Sequence, residues 1–306
     1  MIVPLVPPIK CQGIKTKLVQ KIADLFYDLP NGRWIEPFCG SCVVPLNVQP
    51  KRALLCDSNV HIIQFYKDVQ LQLLTPENVK DYLRQHGDLL RTKGEDYFYE
   101  VRNRFNTLPN SFDFLFLNRS CFNGVMRFNR SGRFNVPFCR KPDRFSSAYI
   151  TKIINQLGTI ARVMLASDWE FRVADFRWTI AQAKSDDFVY ADPPYAGRHV
   201  DFFNSWSEQD EMELSGLLSH LPCRFILSTW HSNEFRINQE VKKNWSSESY
   251  CIFTHEHYYH VGATENLRHP MIEALITNFS HRPDERPKAH QPSLWVEQTQ
   301  TIHAPV

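Results

Sequence analysis

Phe188-Val189-Tyr190-Ala191-Asp192-Pro193-Pro194-Tyr195 is an apolar run that ends on a carboxylate, two prolines and an aromatic ring. A short apolar stretch stopped by proline predicts a strand buried on both faces, as in a parallel sheet. Asp192 then lies at the carboxyl end of that strand, the edge at which open α/β sheets bind ligands. The prolines fix φ and remove two backbone donors, leaving carbonyls to accept. Asp192 and the Pro193 carbonyl can together take both hydrogens of an amine and point its lone pair toward a methyl donor, while Tyr195 stacks on a base. The plainer alternative is a proline-rich turn after a strand.

Working outward, the chain alternates elements of the same kind. Residues 15–28 carry helical spacing at Leu18, Ile22, Leu25 and Phe26, and a turn at 29–32 leads to a short strand at 33–36. Ala53-Leu54-Leu55-Cys56 reads as a buried strand ending at Asp57, with a helix from 61 to 74 behind it. A mainly helical stretch follows from 76 to 117, then Asn-Gly and Ser-Gly turns at 123–124 and 131–132 that predict a hairpin or loop. Strand signals resume at 170–173, 188–191, 224–228, 251–254 and 272–277, with a helix at 208–218. The fold class is α/β, a doubly wound Rossmann-like sheet split by an inserted helical and β-hairpin module. Residues from 281 onward are polar and proline-bearing and predict a flexible tail.

The 306 residues, 43% hydrophobic and 13% aromatic, suffice for a full core with one added module. No 18-residue apolar stretch or signal peptide is present, so the sequence predicts a cytoplasmic protein with no membrane partner. Its eight scattered cysteines fit a reducing compartment. A net charge of +2 says little, but residues 102–144 hold nine Lys or Arg, two acids and eight Phe. Basic side chains neutralise phosphates and aromatic rings offer stacking surfaces, which suits nucleic acid; a solvated basic hairpin over a Phe core is the alternative.

Several blocks together resemble the Dam family of DNA adenine methyltransferases, over roughly residues 8–279. Ile9-Lys10-Cys11-Gln12-Gly13-Ile14-Lys15 is similar to its amino-terminal cofactor motif, Glu36-Pro37-Phe38-Cys39-Gly40-Ser41-Cys42 to its glycine-rich cofactor loop, and Asp57-Ser58-Asn59 to its ribose-binding step. The segments 118–129 and 132–138 resemble its DNA-recognition hairpin. The resemblance implies a methyltransferase that takes S-adenosylmethionine as cofactor and double-stranded DNA as partner, with a catalytic domain from 1–74 and 150–280 and a recognition insertion at 75–149. It implies cofactor contacts at Cys11, Gly13, Lys15, Glu36, Phe38, Gly40, Asp57, Asp175, Phe176 and Asp192. It implies catalysis at Asp192, Pro193, Pro194 and Tyr195, and DNA contacts at Lys10, Arg119, Phe122, Asn123, Val125, Arg127, Asn129, Pro137 and Arg140. The chain departs from the family at Cys11-Gln12-Gly13-Ile14-Lys15, at Cys42 where a glycine is usual, and at Thr229 where asparagine is common.

Some of these residues also have readings that need no family. Gly40 after a strand lets backbone approach a ligand, and Asp57 can accept two ribose hydroxyls or else cap the following helix. Arg127 presents a fork that matches guanine O6 and N7, or clamps a phosphate like its basic neighbours. In the resembling family the matching arginine reads a guanine before the target adenine, with Lys10 matching a lysine nearby, which predicts a site beginning 5′-GA, with GATC leading. Two rival chemistries are weaker. Cys39-Gly40-Ser41-Cys42 has half-zinc or redox spacing but no second pair, and His255-Glu256-His257-Tyr258-Tyr259-His260 alternates its histidines across two strand faces, so no metal is expected. An RNA amine methyltransferase or a non-catalytic DNA-binding relative are the alternative functions. A monomer of prokaryotic or phage origin is expected, with a cognate restriction endonuclease left open as a partner.

Overall fold

A computed structural model describes residues 3–26, 32–195, 203, 206–233, 237–258 and 270–280. The chain divides into two compact units, 1–223 and 224–306. The tail expected at 281–306 and the turn at 29–31 lie outside the described residues, as does His260.

The first unit is built on four parallel strands: β1 (Trp34–Glu36), β2 (Arg52–Asp57), β3 (Asp168–Val173) and β4 (Phe188–Ala191), in the order β3-β2-β1-β4. Trp34 pairs with Ala53 on one side and Phe188 on the other. Every residue of β1 and β4 is buried, which is why their sequences are unbroken apolar runs rather than alternating ones. Chain order reverses at β1, so the carboxyl ends of β1 and β4 flank a topological switch point, the crevice where such sheets hold ligands. Arg33 secures the start of this pair: its N–H donates to Asp187 Oδ1 at 2.7 Å, its guanidinium to Asp187 Oδ2 at 2.8 Å.

The helices of this unit are α1 (Val19–Leu25), α2 (Val43–Val48), α3 (Val60–Gln70), α4 (Pro76–Lys93), α5 (Glu95–Thr107), α6 (Ser111–Ser120), α7 (Ser147–Leu165), α8 (Phe176–Ile180) and α9 (Glu208–Ser219). The helix predicted from residue 15 starts at Val19, because the chain from Lys15 is a turn in which Lys15 O accepts from Leu18 and Val19 N–H. The helix predicted to 74 stops at Gln70, with Gln72 in the left-handed region at φ +58°. The stretch predicted as mainly helical is α4, α5 and α6, each opened as its sequence dictates. Thr75 and Asn78 form a reciprocal capping box, Asn110 accepts from Asp113 N–H, and Gly94 breaks the chain between α4 and α5. The long amphipathic α7, capped by Ser146, was not foreseen.

Between α6 and α7 the expected hairpin carries no regular ladder. It is a loop with a 3-10 turn at Phe122–Gly124 and two isolated antiparallel bridges, Cys121 with Phe138 and Phe128 with Phe134. Its phenylalanines also differ from the stacking surface considered above. Phe105, Phe114, Phe116, Phe128, Phe134 and Phe138 are all buried, and Phe122 alone among the eight of residues 102–144 is largely exposed, at 55%. Six rings are therefore spent on a local core that a short irregular loop needs in order to hold a shape.

The second unit has β5 (Arg224–Asn233), β6 (Cys251–Tyr258) and β7 (Pro270–Thr277), antiparallel in the order β5-β7-β6, with α10 (Gln239–Trp245). No helix among the described residues is long and apolar enough to cross a membrane. None of the eight cysteines is in a disulfide, and no cluster among the described residues could hold a metal ion.

Candidate active site

Four acids mark the carboxyl ends of the four parallel strands: Glu36 closes β1, Asp57 closes β2, Asp175 follows β3 and Asp192 follows β4. Glu36 is 2% exposed and accepts from Trp34 Nε1 at 2.8 Å. Burial pushes its carboxyl well above the usual range and the Asp192 charge adds to this, against the Trp34 hydrogen bond. Asp57 is held by two backbone donors, Gly40 N–H on Oδ2 at 2.9 Å and Asn59 N–H on Oδ1 at 2.8 Å. Burial outweighs both and pushes its carboxyl up to about 6. The helix cap considered for Asp57 is instead supplied by Asn59, which accepts from His61 N–H.

The loop after β1 is tied to β2 by Cys39 N–H donating to Cys56 O at 2.8 Å. Gly40 has φ +46°, and a Cβ there would meet no atom within 4 Å, so open space lies over this backbone. Cys42 is also left-handed, at φ +54°, and 0% exposed. This is the position where the resembling family carries glycine. The cysteine pays a strain of about 1 kcal/mol for a conformation glycine adopts without cost. Cys11 joins this wall, since Asp57 and Cys42, after burial itself, push its thiol well up.

Phe38 of this loop belongs to an aromatic trio. Phe38 stacks on Phe176 with centroids 5.6 Å apart, and Trp206 meets Phe38 edge-on at 5.5 Å and Phe176 at 5.2 Å. Trp206 was missed in the sequence, although it immediately precedes the capping box of Ser207 and Asp210. Its indole N–H donates to Glu211 at 2.7 Å. Asp175 caps α8 and is gripped by Arg177, which also lies over the Phe176 ring at 4.4 Å and pairs with Asp210 and Glu213 of α9.

At the end of β4, Asp192 Oδ1 is 2.8 Å from Lys15 Nζ. Lys15 is only 5% exposed, bonds Gly13 O at 2.9 Å and lies 5.3 Å from the centroid of the Tyr195 ring. Gly13 is left-handed at φ +74°. A carboxylate, an ammonium and an aromatic face thus converge, with Pro193 and Pro194 joining Asp192 to Tyr195 in the chain. Sequence reasoning had Lys15 only in the cofactor motif; its pairing with Asp192 is a contact across the chain that no local signal carries.

The residues anticipated for DNA are distributed unevenly. Phe122, Asn123, Arg127, Asn129, Pro137 and Arg140 are exposed, and Val125 and Lys10 are half-buried. Arg127 donates from Nε to Asn135 Oδ1 at 2.9 Å and from Nη2 to Asn135 O at 3.3 Å, which spans the loop and sets the fork's direction. Asn129 spends its side-chain oxygen on the N–H groups of Ser131 and Arg133, so it shapes the turn. Arg119 is 4% exposed, donates to Gln156 Oε1 at 2.8 Å and lies over Tyr149, so its guanidinium is inside the protein rather than on its surface. His61 of α3 stacks on Phe128 at 5.0 Å, and burial lowers it to about 4, so it is a neutral packing ring between α3 and the loop.

Comparison with known proteins bears on this arrangement. The family described as D12 class N6 adenine-specific DNA methyltransferase matches residues 12–267. The chain is 32% identical over 248 residues to a DNA adenine methylase of Serratia marcescens, covering 78% of this chain and 85% of that protein. It is 29% identical over 287 residues to the modification methylase StsI of Streptococcus sanguinis and 26% identical over 287 residues to the type II methyltransferase M.FokI of Planomicrobium okeanokoites. Those two matches cover 89% and 90% of this chain but only 42% and 43% of the longer proteins.

Proposed function

Because this chain belongs to the D12 class of N6 adenine-specific DNA methyltransferases, we propose that it methylates the exocyclic amine of an adenine turned out of duplex DNA. The observation that carries the reading is the convergence of Asp192, Tyr195 and Lys15 at the sheet's switch point, with the open backbone of Gly40 in the loop after the neighbouring strand β1.

The donor set fits S-adenosylmethionine. Asp57 keeps lone pairs for two ribose hydroxyls beyond those used by Gly40 and Asn59, and the space over Gly40 admits a ligand against backbone. Phe38, Phe176 and Trp206 supply apolar faces for an adenine ring, with Asp175 at its edge. Glu36, Cys11, Gly13 and Lys15 line the remaining side, toward the methionine end. When bound, the cofactor supplies a methyl group on a positively charged sulfur, and its departure leaves a neutral thioether.

The protein's own work is to hold the amine. Asp192 accepts one N–H and the Pro193 carbonyl the other, which draws both hydrogens out of the ring plane, takes the nitrogen lone pair out of conjugation and exposes it. Tyr195 stacks on the base, which replaces stacking lost on leaving the helix. Lys15 fixes the Asp192 carboxylate through one oxygen, so the acceptor is oriented before substrate arrives. Asp192 acts as a positioning acceptor, because no proton has to leave before attack; the methylated nitrogen then carries the positive charge and gives up one N–H proton to the Asp192 carboxylate or to solvent after transfer.

The insertion at 75–149 is the recognition module in this reading. Arg127 reads a guanine before the target adenine, Phe122 wedges into the stack, and Val125 and Pro137 touch a thymine methyl, so the site begins 5′-GA with GATC leading. A monomer acting on genomic DNA, alone or beside a restriction endonuclease, completes the proposal. Tritiated methyl transfer to duplex DNA and to structured RNA tests it: label in adenine of duplex DNA is expected, whereas transfer to RNA alone, or none, refutes it.

A further inference from the structure

Lys10, Asn118 and Gly124 form an arrangement that the mechanism above does not use. Asn118 lies within α6, where a short amide is a poor helix former, and it is 0% exposed. Its Oδ1 accepts from Lys10 N–H at 2.7 Å, and its Nδ2 donates to Lys10 O at 2.9 Å. One side chain thus treats the backbone of Lys10 as a neighbouring strand would, fixing both position and direction. The loop that follows α6 grips the other side. Gly124 has φ +66°, and a Cβ there would fall 2.2 Å from Lys10 Cδ, so the lysine stem fills a notch that glycine leaves open. Burial lowers the Lys10 ammonium and the cations Arg144 and Arg119 add to that. An electron-rich acceptor brought to this place gains from all three charges.

We propose that Asn118 is a positioning residue for base recognition: never touching DNA, it seats Lys10 in the Gly124 notch, where the lysine reads the guanine before the target adenine. The inference rests on the proposed function and on Lys10 being one of its DNA contacts. It assigns the buried amide a role in specificity rather than in stability alone, because displacing Lys10 by even 1 Å breaks a base contact that depends on direction.

The test uses the full chain and two duplexes, one with the site established by mapping methylated DNA and one with its guanine replaced. The ratio of kcat/KM between them is measured for wild type, Asn118→Leu, Gly124→Ala and Lys10→Met, with S-adenosylhomocysteine affinity as a control. Each substitution is expected to lower that ratio by about tenfold or more. Cofactor affinity is expected to stay within about twofold. Adding Asn118→Leu to Lys10→Met should lower the ratio no further, since both remove one contact. Asn118→Asp, which keeps the acceptor for Lys10 N–H, should retain part of the discrimination. Equal losses on both duplexes, or an additive double variant, overturn the inference. Should Asn118→Leu fail to fold, Gly124→Ala displaces the same lysine from the other side and decides alone. A mapped site with no guanine preference refutes the base-reading premise, and absence of any transfer to DNA refutes the proposed function; neither resembles a discriminating enzyme indifferent to Asn118.

Discussion

The Asp57 carboxylate makes a prediction in which apo stability and cofactor affinity move in opposite directions with pH. Its carboxyl is raised from 3.8 to about 6 by burial. An acid whose folded value exceeds its unfolded value holds its proton longer when folded, so stability falls as pH rises from about 4 to about 6. The full penalty above that window is about 3 kcal/mol, at 1.36 kcal/mol for each unit. Ribose hydroxyls donate to the ionised form, so cofactor affinity rises over the same window. With a value of about 6, roughly one molecule in eleven is ionised at pH 5 and nearly all at pH 8, which predicts about tenfold tighter binding at the higher pH. Asp57→Asn removes the charge and one of the two acceptors that Gly40 and Asn59 use. The relief of the buried charge offsets the lost hydrogen bond, so the apo melting temperature should hold or rise. Cofactor affinity should nonetheless fall by roughly 10- to 100-fold, the loss of about 1.5 to 3 kcal/mol of charge-assisted hydrogen bonding. Titration calorimetry with S-adenosylhomocysteine at pH 5, 6, 7 and 8 reads both effects. A flat wild-type profile, or a slope that survives in Asp57→Asn, refutes the assignment and shifts attention to Glu36.

Three further outcomes follow from the site. Asp192→Ala should cut turnover to less than about a tenth by removing the amine's acceptor, and should also destabilise the fold by about 3 kcal/mol, because Lys15 stays buried without its carboxylate. Adding Lys15→Met should restore the melting temperature and leave turnover lost; a double variant as unstable as the single one contradicts the ion-pair account. 2-Aminopurine at the target should brighten on binding, and Tyr195→Ala should slow transfer more than Tyr195→Phe, since stacking uses the ring; equal effects argue for a role of the hydroxyl. Arg127→Ala should relax discrimination at the guanine, whereas uniform weakening with a salt slope lower by about one would identify a phosphate contact.

Strand β4 and the residues that follow it were legible because the information is local. An apolar run stopped by Asp192-Pro193-Pro194 reads as a strand that ends there, and the run is apolar throughout because every residue of β4 is buried. Glycine at position 40 and an acid at position 57 were legible for the same reason, each being a short-range requirement at the end of a strand. The boundaries that slipped did so at tertiary contacts. Lys15 leaves the helical pattern for a turn from which its ammonium pairs with Asp192, and the loop at 121–138 forms isolated bridges with its Phe128, Phe134 and Phe138 drawn inward.

What the sequence by itself determined is the set and order of chemical parts: the parallel-strand core, the acids at strand ends, the basic segment at 102–144 and the Asp-Pro-Pro-Tyr turn. What only the tertiary structure decided is which of those parts face one another. Arg119 and Arg127 look alike in the sequence, yet one is 4% exposed against Gln156 and Tyr149 and the other spans an exposed loop. Trp206 gave no signal until it was found against Phe38 and Phe176, and Asn118 none until its amide was found on the backbone of Lys10. Periodicity and turn chemistry act over a few residues and are written in the chain. Burial of a charge, contact among aromatic rings and pairing of an amide with a distant backbone depend on packing between segments far apart, and that is fixed only when the core forms.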